Sequence, residues 1–216
     1  MLFSTVTAHL LFALPVMGGV LPSDNQEVRS ESIPAGISVV LGKSDVVFAR
    51  ACTPIVEIPE RRDLQLFSRA ISADQKEALR LHNVARAKKK VRSMVWSPTL
   101  AGYALTYAKK LAKAGSLKHS AYEDRINQGE NLAYAKSSQP ITQPSVLGTK
   151  GWLAEIDNYH NEKIPQGDFA AYGHYTQIMW NTSTRFGIAS VSDGKGAWYT
   201  VARYSKPGNI NGLRPY

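Results

Sequence analysis

The pattern of apolar and polar positions predicts a first helix that begins after Ser72. Ser72 and Gln75 are spaced as a capping box, in which each side chain satisfies a free backbone donor of the other residue. The helix is predicted to end near Lys89. One of its faces carries Leu79, His82, Asn83 and Arg86 at helical spacing. This face is mostly polar, which indicates a buried hydrogen-bonded network. The alternative is a core face made of Ala78, Leu81 and Ala85.

Two more helices follow in the same pattern. Ser97 is placed as the cap and Pro98 as the first residue of a helix with an apolar stripe, and Gly115 is predicted to end it. A third helix is predicted over residues 146–160. One face of it places a carboxylate among aromatic and apolar side chains, namely Trp152, Glu155, Ile156 and Tyr159.

The remaining elements are strands and loops. Residues 186–191 and 198–204 are predicted to form two strands joined by a hairpin turn at residues 192–196. Residues 117–133 and 161–173 are predicted loops. The chain therefore contains a helical half followed by a β-hairpin.

The first 68 residues follow a different pattern. Residues 1–20 are predicted to be a secretory signal, because residues 10–14 begin an apolar stretch that ends at the small residues Val16 and Gly18. The stretch is too short for a transmembrane helix and is broken by Pro15. Residues 21–68 are predicted to be a loosely structured pro-segment or linker. The pair Arg61–Arg62 is a candidate cleavage site, and chance is the alternative explanation. The domain itself is assigned to residues 69–216, and we expect the protein to be secreted and extracellular.

The charge distribution bears on the possible partners, and the cysteine count bears on disulfides. Residues 63–216 hold 21 of the 26 basic residues and 11 of the 17 acidic ones. This excess favours an anionic surface as a partner, and an ordinary solvated basic face is the alternative. No basic-aromatic nucleic-acid motif is present, so no nucleic-acid partner is expected. Cys52 is the single cysteine, which excludes a disulfide within the chain.

Residues 173–180, Gly-His-Tyr-Thr-Gln-Ile-Met-Trp, combine an imidazole, a phenol, a hydroxyl, an amide and an indole. Such a mixture is too polar for an ordinary core and too aromatic for a surface loop. It is typical of the wall of a partly buried polar site. Taken alone, His174 could equally be a structural histidine.

Six short blocks in this order resemble the CAP superfamily, which comprises the cysteine-rich secretory, antigen 5 and pathogenesis-related-1 proteins. The resemblance covers about residues 70–216, and its blocks are residues 82–86, 117–120, 129–132, 152–155, 173–180, and 203–204 with 207–209. The family is usually disulfide-bonded, whereas Ala202 stands here where a cysteine is common. The chain is therefore identified as a disulfide-free variant of this superfamily.

The resemblance implies an α+β fold, a three-layer α-β-α sandwich with a surface cavity. The family's two histidines and two glutamates map onto His119, Glu130, Glu155 and His174. Supporting residues of the cavity are predicted to be Asn83, Asn131, Tyr175 and Gln177. Such a set can bind zinc or another divalent metal, or it can form a metal-free network of hydrogen bonds and charges.

The function implied by the resemblance is that of a non-catalytic pathogenesis-related-1-like module in defence or virulence. Its partners would be a sterol, a fatty acid or a membrane lipid. The loop between the second glutamate and the second histidine supplies the candidate lipid-binding residues, Tyr159, Ile164, Phe169 and Tyr172, which could instead cap the core. Asn181 is a candidate glycosylation site in an Asn-Thr-Ser sequence.

Two other functions remain open at this point. In a metal-dependent hydrolase, zinc on His119 and His174 would activate water, with Glu130 or Glu155 as the general base. In a peptide precursor, cleavage after Ser205 would release residues 206–216, which resemble a signalling peptide of some plant relatives. That reading expects few contacts between the tail and the core beyond Ile210 and Leu213.

Overall fold

A computed structural model describes residues 70–216, together with the backbone of residues 10–12 and 37–41. Most of the predicted signal and pro-segment, including Cys52 and Arg61–Arg62, lies outside the described residues, so the division of the chain stays a prediction. Two short stretches are exceptions. Leu10–Phe12 and Ile37–Leu41 form strands, although the second was predicted to belong to a loosely structured segment.

The described part of the chain contains four α-helices and six strands. The helices are α1 (Ala73–Lys88), α2 (Pro98–Ala114), α3 (Pro144–Ala154) and α4 (Gly173–Met179). The strands are β1 (Leu10–Phe12), β2 (Ile37–Leu41), β3 (Val95–Trp96), β4 (Gly129–Ser137), β5 (Arg185–Ser192) and β6 (Ala197–Ser205). Short 3₁₀ helices cover Tyr122–Arg125, Glu155–Asn158 and Phe169–Ala171. None of the helices described here is long and apolar enough to cross a membrane.

The strands form one mixed sheet in the order β1-β2-β4-β6-β5-β3. The pairs β1–β2 and β3–β5 are parallel, and the other three pairs are antiparallel. The register places Glu130 of β4 opposite Arg203 of β6. The predicted hairpin of β5 and β6 is confirmed, with its turn at residues 193–196.

Two apolar cores lie on the two faces of this sheet. Because side chains alternate along a strand, Leu132 of β4 packs with α2, whereas its neighbour Ala133 packs with the other helices. The α2 core includes Ala104 and Ala108. The opposite core includes Trp152 of α3 and the buried residues of α4. The predicted three-layer α-β-α sandwich is therefore confirmed.

Helix α1 begins with the predicted capping box, in which the Ser72 hydroxyl accepts from the Gln75 N–H and the Gln75 side chain accepts from the Ser72 N–H. Its buried residues are Ala78, His82 and Arg86, so the polar face points inward as predicted. Helix α2 is capped by Ser97 and ends at Gly115, whose φ of 65° is left-handed and suits a glycine.

Two sequence assignments were wrong. Residues 129–133 were predicted to be a loop, but they begin the central strand β4. Both faces of β4 are covered by helices, so its apolar residues form a continuous run instead of an alternation, and two polar residues precede that run. Helix α3 ends at Ala154 and not near His160, because the backbone tightens into a 3₁₀ turn at Glu155.

Candidate functional site: two histidine–glutamate pairs

The four predicted cavity residues form two pairs. Glu155 and His174 make one pair, called the α4 pair because it lies at the start of α4. His119 and Glu130 make the other, called the β4 pair because Glu130 is on β4. Each histidine contacts its glutamate through Nδ1.

In the α4 pair, one carboxylate binds both an imidazole and a helix terminus. The Oε1 atom of Glu155 lies 2.6 Å from Nδ1 of His174. Its Oε2 atom accepts the backbone N–H groups of His174 at 2.9 Å and Tyr175 at 3.0 Å. These N–H groups belong to the first turn of α4, which has no partner for them inside the helix. Glu155 therefore caps α4 from a distant element and orients the ring of its histidine.

The α4 pair is almost completely enclosed. The side chains of His174 and Glu155 are 1% and 2% exposed. The ring of Trp152 stacks on that of His174, with centroids 6.2 Å apart. Burial raises the pKa of Glu155, and the opposing effects of His174 and the two backbone N–H groups do not offset it.

In the β4 pair, a permanent cation joins the histidine. Oε1 of Glu130 lies 2.7 Å from Nδ1 of His119 and accepts the N–H of Ser120 at 3.0 Å. Oε2 accepts the Ser120 hydroxyl at 3.0 Å and lies 2.9 Å from Nη2 of Arg203. The guanidinium of Arg203 also lies over the ring of Tyr107, 5.5 Å from its centroid. The carboxylate is thus held between the loop that carries His119 and strand β6.

The pKa of Glu130 is shifted in the direction opposite to that of Glu155. Burial would raise the pKa of Glu130, but the hydrogen bond from His119 and the charge of Arg203 outweigh it and lower that pKa. Sequence reasoning did not assign Arg203 or Ser120 to the site. The available signal was a basic residue at position 203 within an otherwise uncharged strand.

The two pairs lie against opposite faces of the sheet. Glu130 shares the face of Leu132, which packs on α2. Asn131 points to the other face, where its side-chain N–H group donates to the backbone carbonyl of His174 at 3.0 Å. Two consecutive residues of β4 therefore contact the two pairs. The single cavity predicted for all four residues stays a prediction.

A buried chain of hydrogen bonds extends the α4 pair toward α1. Asn131 donates to the Tyr204 hydroxyl at 3.2 Å, and that hydroxyl lies 3.0 Å from Nε2 of His82. Nδ1 of His82 lies 2.8 Å from the carbonyl of Ala78. Burial lowers the pKa of His82 to about 3, so its ring is neutral at pH 7. Nδ1 is therefore the donor to Ala78, and Nε2 accepts from Tyr204.

Arg86 secures the far end of α4. Its guanidinium donates to the carbonyls of Ile178, Trp180 and Ser183 at 2.7–2.9 Å, and its Nε donates to Arg92. Its side chain is completely buried, and burial lowers its pKa to about 10. It satisfies carbonyls at the end of α4 that the helix itself leaves without donors.

The four predicted supporting residues have different partners. Asn131 and Tyr175 contact the α4 pair, the latter through its backbone N–H. Asn83 instead binds both the N–H and the carbonyl of Met94, so it holds the loop after α1. Gln177 donates to the Ser183 hydroxyl and accepts the N–H of Gly208, so it holds the C-terminal segment.

The candidate lipid-binding residues point into the core. Tyr159, Ile164 and Tyr172 are buried, and Phe169 packs against the same core from a half-buried position. This is the core-capping arrangement that the sequence left open as the alternative.

The C-terminal segment, residues 206–216, is bound more tightly than predicted. Asn209 is buried, accepts the Thr176 hydroxyl at 2.8 Å and donates to the Gly173 carbonyl at 2.8 Å. The tail also exchanges backbone hydrogen bonds with Ile164, whereas Leu213 is exposed. The expectation of few contacts beyond Ile210 and Leu213 was wrong. The polar contacts of Asn209 hold this segment to α4.

The candidate glycosylation site is divided between surface and core. Asn181 is exposed, whereas Ser183 is completely buried. The Ser183 hydroxyl donates to the carbonyl of Lys206. The acceptor asparagine is therefore accessible at the surface of the folded domain.

The predicted metal would have to use the Nε2 atoms of the two histidines, because both Nδ1 atoms face carboxylates. Nε2 of His174 is buried and has no hydrogen-bond partner in the described part of the chain, which suits a ligand. A protein zinc site, however, normally brings three or four ligands together. Residues 70–216 contain no group of three His, Cys, Asp or Glu side chains placed to hold an ion. The residues present do not form a complete metal site.

Comparison with known proteins agrees with the fold. The cysteine-rich secretory protein family (CAP) matches residues 79–204. The chain is 36% identical over 135 residues to the pathogenesis-related protein PR-1 type of Sambucus nigra, covering 62% of this chain and 77% of that one. It is 34% identical over 134 residues to the Golgi-associated plant pathogenesis-related protein 1 of Homo sapiens, covering 62% and 83%. The crystal structure of NaASP2 with Zn²⁺ shares the fold, with a TM-score of 0.59, 22% identity and coverage of 69% and 88%. The chain therefore belongs to the cysteine-rich secretory protein (CAP) family.

Proposed function

We propose that this protein is a secreted, pathogenesis-related-1-like binding module that acts in defence without catalysing a reaction. The observation that carries this proposal is the saturation of both carboxylates. Every oxygen of Glu130 and Glu155 already lies within hydrogen-bond distance of an internal donor. A general base needs a carboxylate oxygen within reach of water or substrate. These two carboxylates hold helix, loop and sheet together instead.

The hydrolase alternative differs from the binding module in its requirement for bound zinc. It requires zinc on His119 and His174, with one carboxylate turned toward a metal-bound water. Elemental analysis of the purified chain, before and after incubation with zinc and desalting, separates the two readings. We expect no retained zinc, and the double variant His119→Ala/His174→Ala is the matched control. Zinc retained by the wild type and lost in that variant would favour the hydrolase.

The proposed ligand is a sterol or a fatty acid, bound at the aromatic cluster of Tyr159, Phe169 and Tyr172. Tyr159 and Tyr172 have ring centroids 5.3 Å apart, and Phe169 meets Tyr172 edge to face at 5.6 Å. Tyr159 and Tyr172 are buried, so a sterol would have to extend the cluster from Phe169 or displace one of its rings. Phe169 is half-buried at its margin, so it is the residue a ligand would reach first.

A labelled-sterol titration tests this site. We expect saturable binding to the wild type, at least about tenfold weaker binding by Phe169→Ser, and unchanged binding by Tyr122→Ser. Tyr122 is an exposed aromatic residue elsewhere on the domain, so it controls for general loss of apolar surface. Equal binding by the two variants, or no saturable binding by the wild type, would contradict the lipid-binding part of the proposal.

Secretion and processing are tested together by mass spectrometry of the protein collected from the medium. We expect removal of about the first 20 residues, as for a signal of ordinary length. A mass shift on glycosidase treatment, lost in Asn181→Gln, would show that the exposed Asn181 is occupied. Retention of Met1 on the mature chain would contradict secretion by this route.

A further inference from the structure

Beyond the proposed function, a cleft lies at the β5 edge of the sheet, apart from the two histidine–glutamate pairs. The two-residue strand β3 covers only Arg185 and Phe186 of β5. Within the described residues no other strand pairs with this edge. Gly187 packs against the backbone of α2, and the carbonyl of Ile188 binds the Gln75 side chain, so the open part of the edge is at residues 189–192. A cavity of about 480 Å³ lies beside the open part, and β5 contributes Ala189 and Ser190 to its lining. Neither histidine–glutamate pair lines it.

The direction of the backbone groups along this edge follows from the hairpin. Asp193 donates its N–H to the carbonyl of Ala197. In an antiparallel ladder hydrogen-bonded pairs alternate with pairs that are not hydrogen-bonded, so the odd-numbered residues of β5 bond to β6. The even-numbered residues of β5 therefore turn their N–H and C=O groups to the open edge. The carbonyl of Phe186 accepts the Ser97 N–H, and that of Ile188 accepts the Gln75 side chain, as this alternation requires. Ser190 and Ser192 are the next two such residues.

The walls of the cleft differ on the two sides of the edge. On the α2 side they are apolar and are formed by Ala101, Leu105 and Ala189. On the α3 side they are polar, because Ser145 and Ser190 share a hydrogen bond between hydroxyls at 2.9 Å and Asp74 accepts the Ser145 N–H. The α2 side of the cleft thus favours apolar groups of a bound ligand, and the α3 side favours polar groups.

Tryptophans mark the two ends of the cleft. Trp96 lies opposite Phe186, and Trp198 lies opposite Ser192, six residues farther along β5. Both line the cavity, and both are half-buried, so part of each ring faces solvent. At about 3.3 Å per residue the ends are separated by roughly 20 Å. This length corresponds to a short extended peptide.

We propose that this cleft binds an extended peptide segment of a partner protein, which adds a strand to β5. The outward N–H and C=O groups of Ser190 and Ser192 match the backbone of such a strand. Successive side chains of an added strand point to opposite faces. The peptide class is therefore one in which small apolar residues, facing Leu105, alternate with Ser or Thr, facing Ser145.

Amide exchange measured by nuclear magnetic resonance tests this proposal on the full chain. The probe is a capped peptide of about seven residues in which Val and Ser alternate, a length that spans the cleft. The N–H groups of Ser190 and Ser192 are expected to exchange rapidly in the free protein and at least about tenfold more slowly with saturating peptide. The N–H of Val191 points to β6, so its exchange should not change. A peptide with proline in place of its central residue lacks an N–H and should bind at least about tenfold more weakly.

Two variants separate backbone pairing from side-chain effects. Ser190→Pro removes the outward N–H at an edge position where proline is tolerated, whereas Ser190→Ala keeps it. In Ser190→Pro, we expect the peptide no longer to slow amide exchange at Ser192. In Ser190→Ala, the peptide should still slow it. If Ser190→Pro does not fold, the proline-containing probe still decides the question.

Three results would overturn the proposal. The first is exchange at Ser190 and Ser192 that the peptide leaves unchanged. The second is full protection of both amides before peptide is added, which would mean that the chain's own segment covers the edge. The third is equal binding of the proline-containing probe, which would point to apolar contact with the tryptophans alone.

Discussion

The two histidine–glutamate pairs are built from the same side chains, yet they differ in what surrounds the carboxylate. Glu130 meets the permanent cation of Arg203, and its pKa is lowered. Glu155 meets only an imidazole and two backbone N–H groups, and burial raises its pKa. The comparison shows that a shared residue pattern does not determine the protonation behaviour of a buried carboxyl. At Glu130 the hydrogen bond from His119 and the charge of Arg203 together outweigh the effect of burial.

The pairs also differ in the parts of the fold that they join. The β4 pair links the loop at His119 to the two central strands on the α2 side of the sheet. The α4 pair links the 3₁₀ turn at Glu155 to the first turn of α4 on the opposite side. Loss of either pair should therefore loosen a different layer of the sandwich.

The largest effect is expected from removing the cation of the β4 pair. Arg203→Met leaves the buried carboxylate of Glu130 without the permanent cation beside it, which should lower the free energy of unfolding by about 3–5 kcal/mol. Denaturant unfolding measures this change. Arg214→Met is the matched control, because Arg214 is exposed and should change stability by less than about 0.5 kcal/mol. A loss below about 1 kcal/mol in Arg203→Met would show that the cation does not secure this pair.

Breaking the α4 pair should cost somewhat less, because no permanent charge is left without its counter-ion. Glu155→Ala leaves the N–H groups of His174 and Tyr175 without their acceptor, at a cost of about 1–3 kcal/mol or more. His174→Ala should destabilise the same region. The exposed Glu123→Ala is the control and should be nearly neutral. Unchanged stability in both Glu155→Ala and His174→Ala would be incompatible with a pair that holds α4.

The pH dependence of stability should have opposite signs at the two glutamates. The lowered pKa of Glu130 means that its contribution is present above its ordinary value of 4.5 and is lost as the pH falls through the folded-state pKa. The raised pKa of Glu155 means that its contribution is present below 4.5 and is lost as the pH rises through the folded-state pKa. The free energies of unfolding of Glu130→Gln and Glu155→Gln, relative to wild type, should therefore diverge in opposite directions between pH 3 and pH 7, roughly the range of shifted carboxyl groups. Parallel curves would contradict the assigned environments.

The smallest effect is expected from the hydroxyl that extends the α4 pair. Tyr204→Phe removes the partner of both His82 and Asn131, at a cost of about 0.5–1.5 kcal/mol. The imidazole resonances of His82 and His174 should shift, whereas that of His119 should not. Tyr199→Phe alters a buried tyrosine on the other face of β6 and serves as the control. A shift confined to His119 would contradict the separation of the two pairs.

The sequence predicts much of the fold because local rules govern those parts. The capping box at Ser72 and the glycine end of α2 are decided within a few residues, and the structure confirms both. The polar inner face of α1 is also readable, since His82 and Arg86 recur at helical spacing. Strand β4 was missed because its pattern depends on two helices that cover it from distant positions in the chain.

The site is predicted less completely than the fold. The resemblance to the family supplied His119, Glu130, Glu155 and His174, but not which of them pair or with which charge. Arg203 reaches Glu130 only through the register of β4 and β6. The same is true of Tyr204, which joins His82 to Asn131 across three elements. Contacts of this kind are set by tertiary structure, and no local spacing reports them.

The central claim is that the four residues act as two separate pairs, and double-mutant cycles test it most directly. Alanine substitutions within each pair should show coupling energies of about 1–3 kcal/mol, because each partner's loss already leaves the other unsatisfied. The cross-pair cycle, His174→Ala with Glu130→Ala, should be additive within about 0.5 kcal/mol. Cross-pair coupling as large as the coupling within a pair would contradict this account and would indicate one shared cavity of four residues.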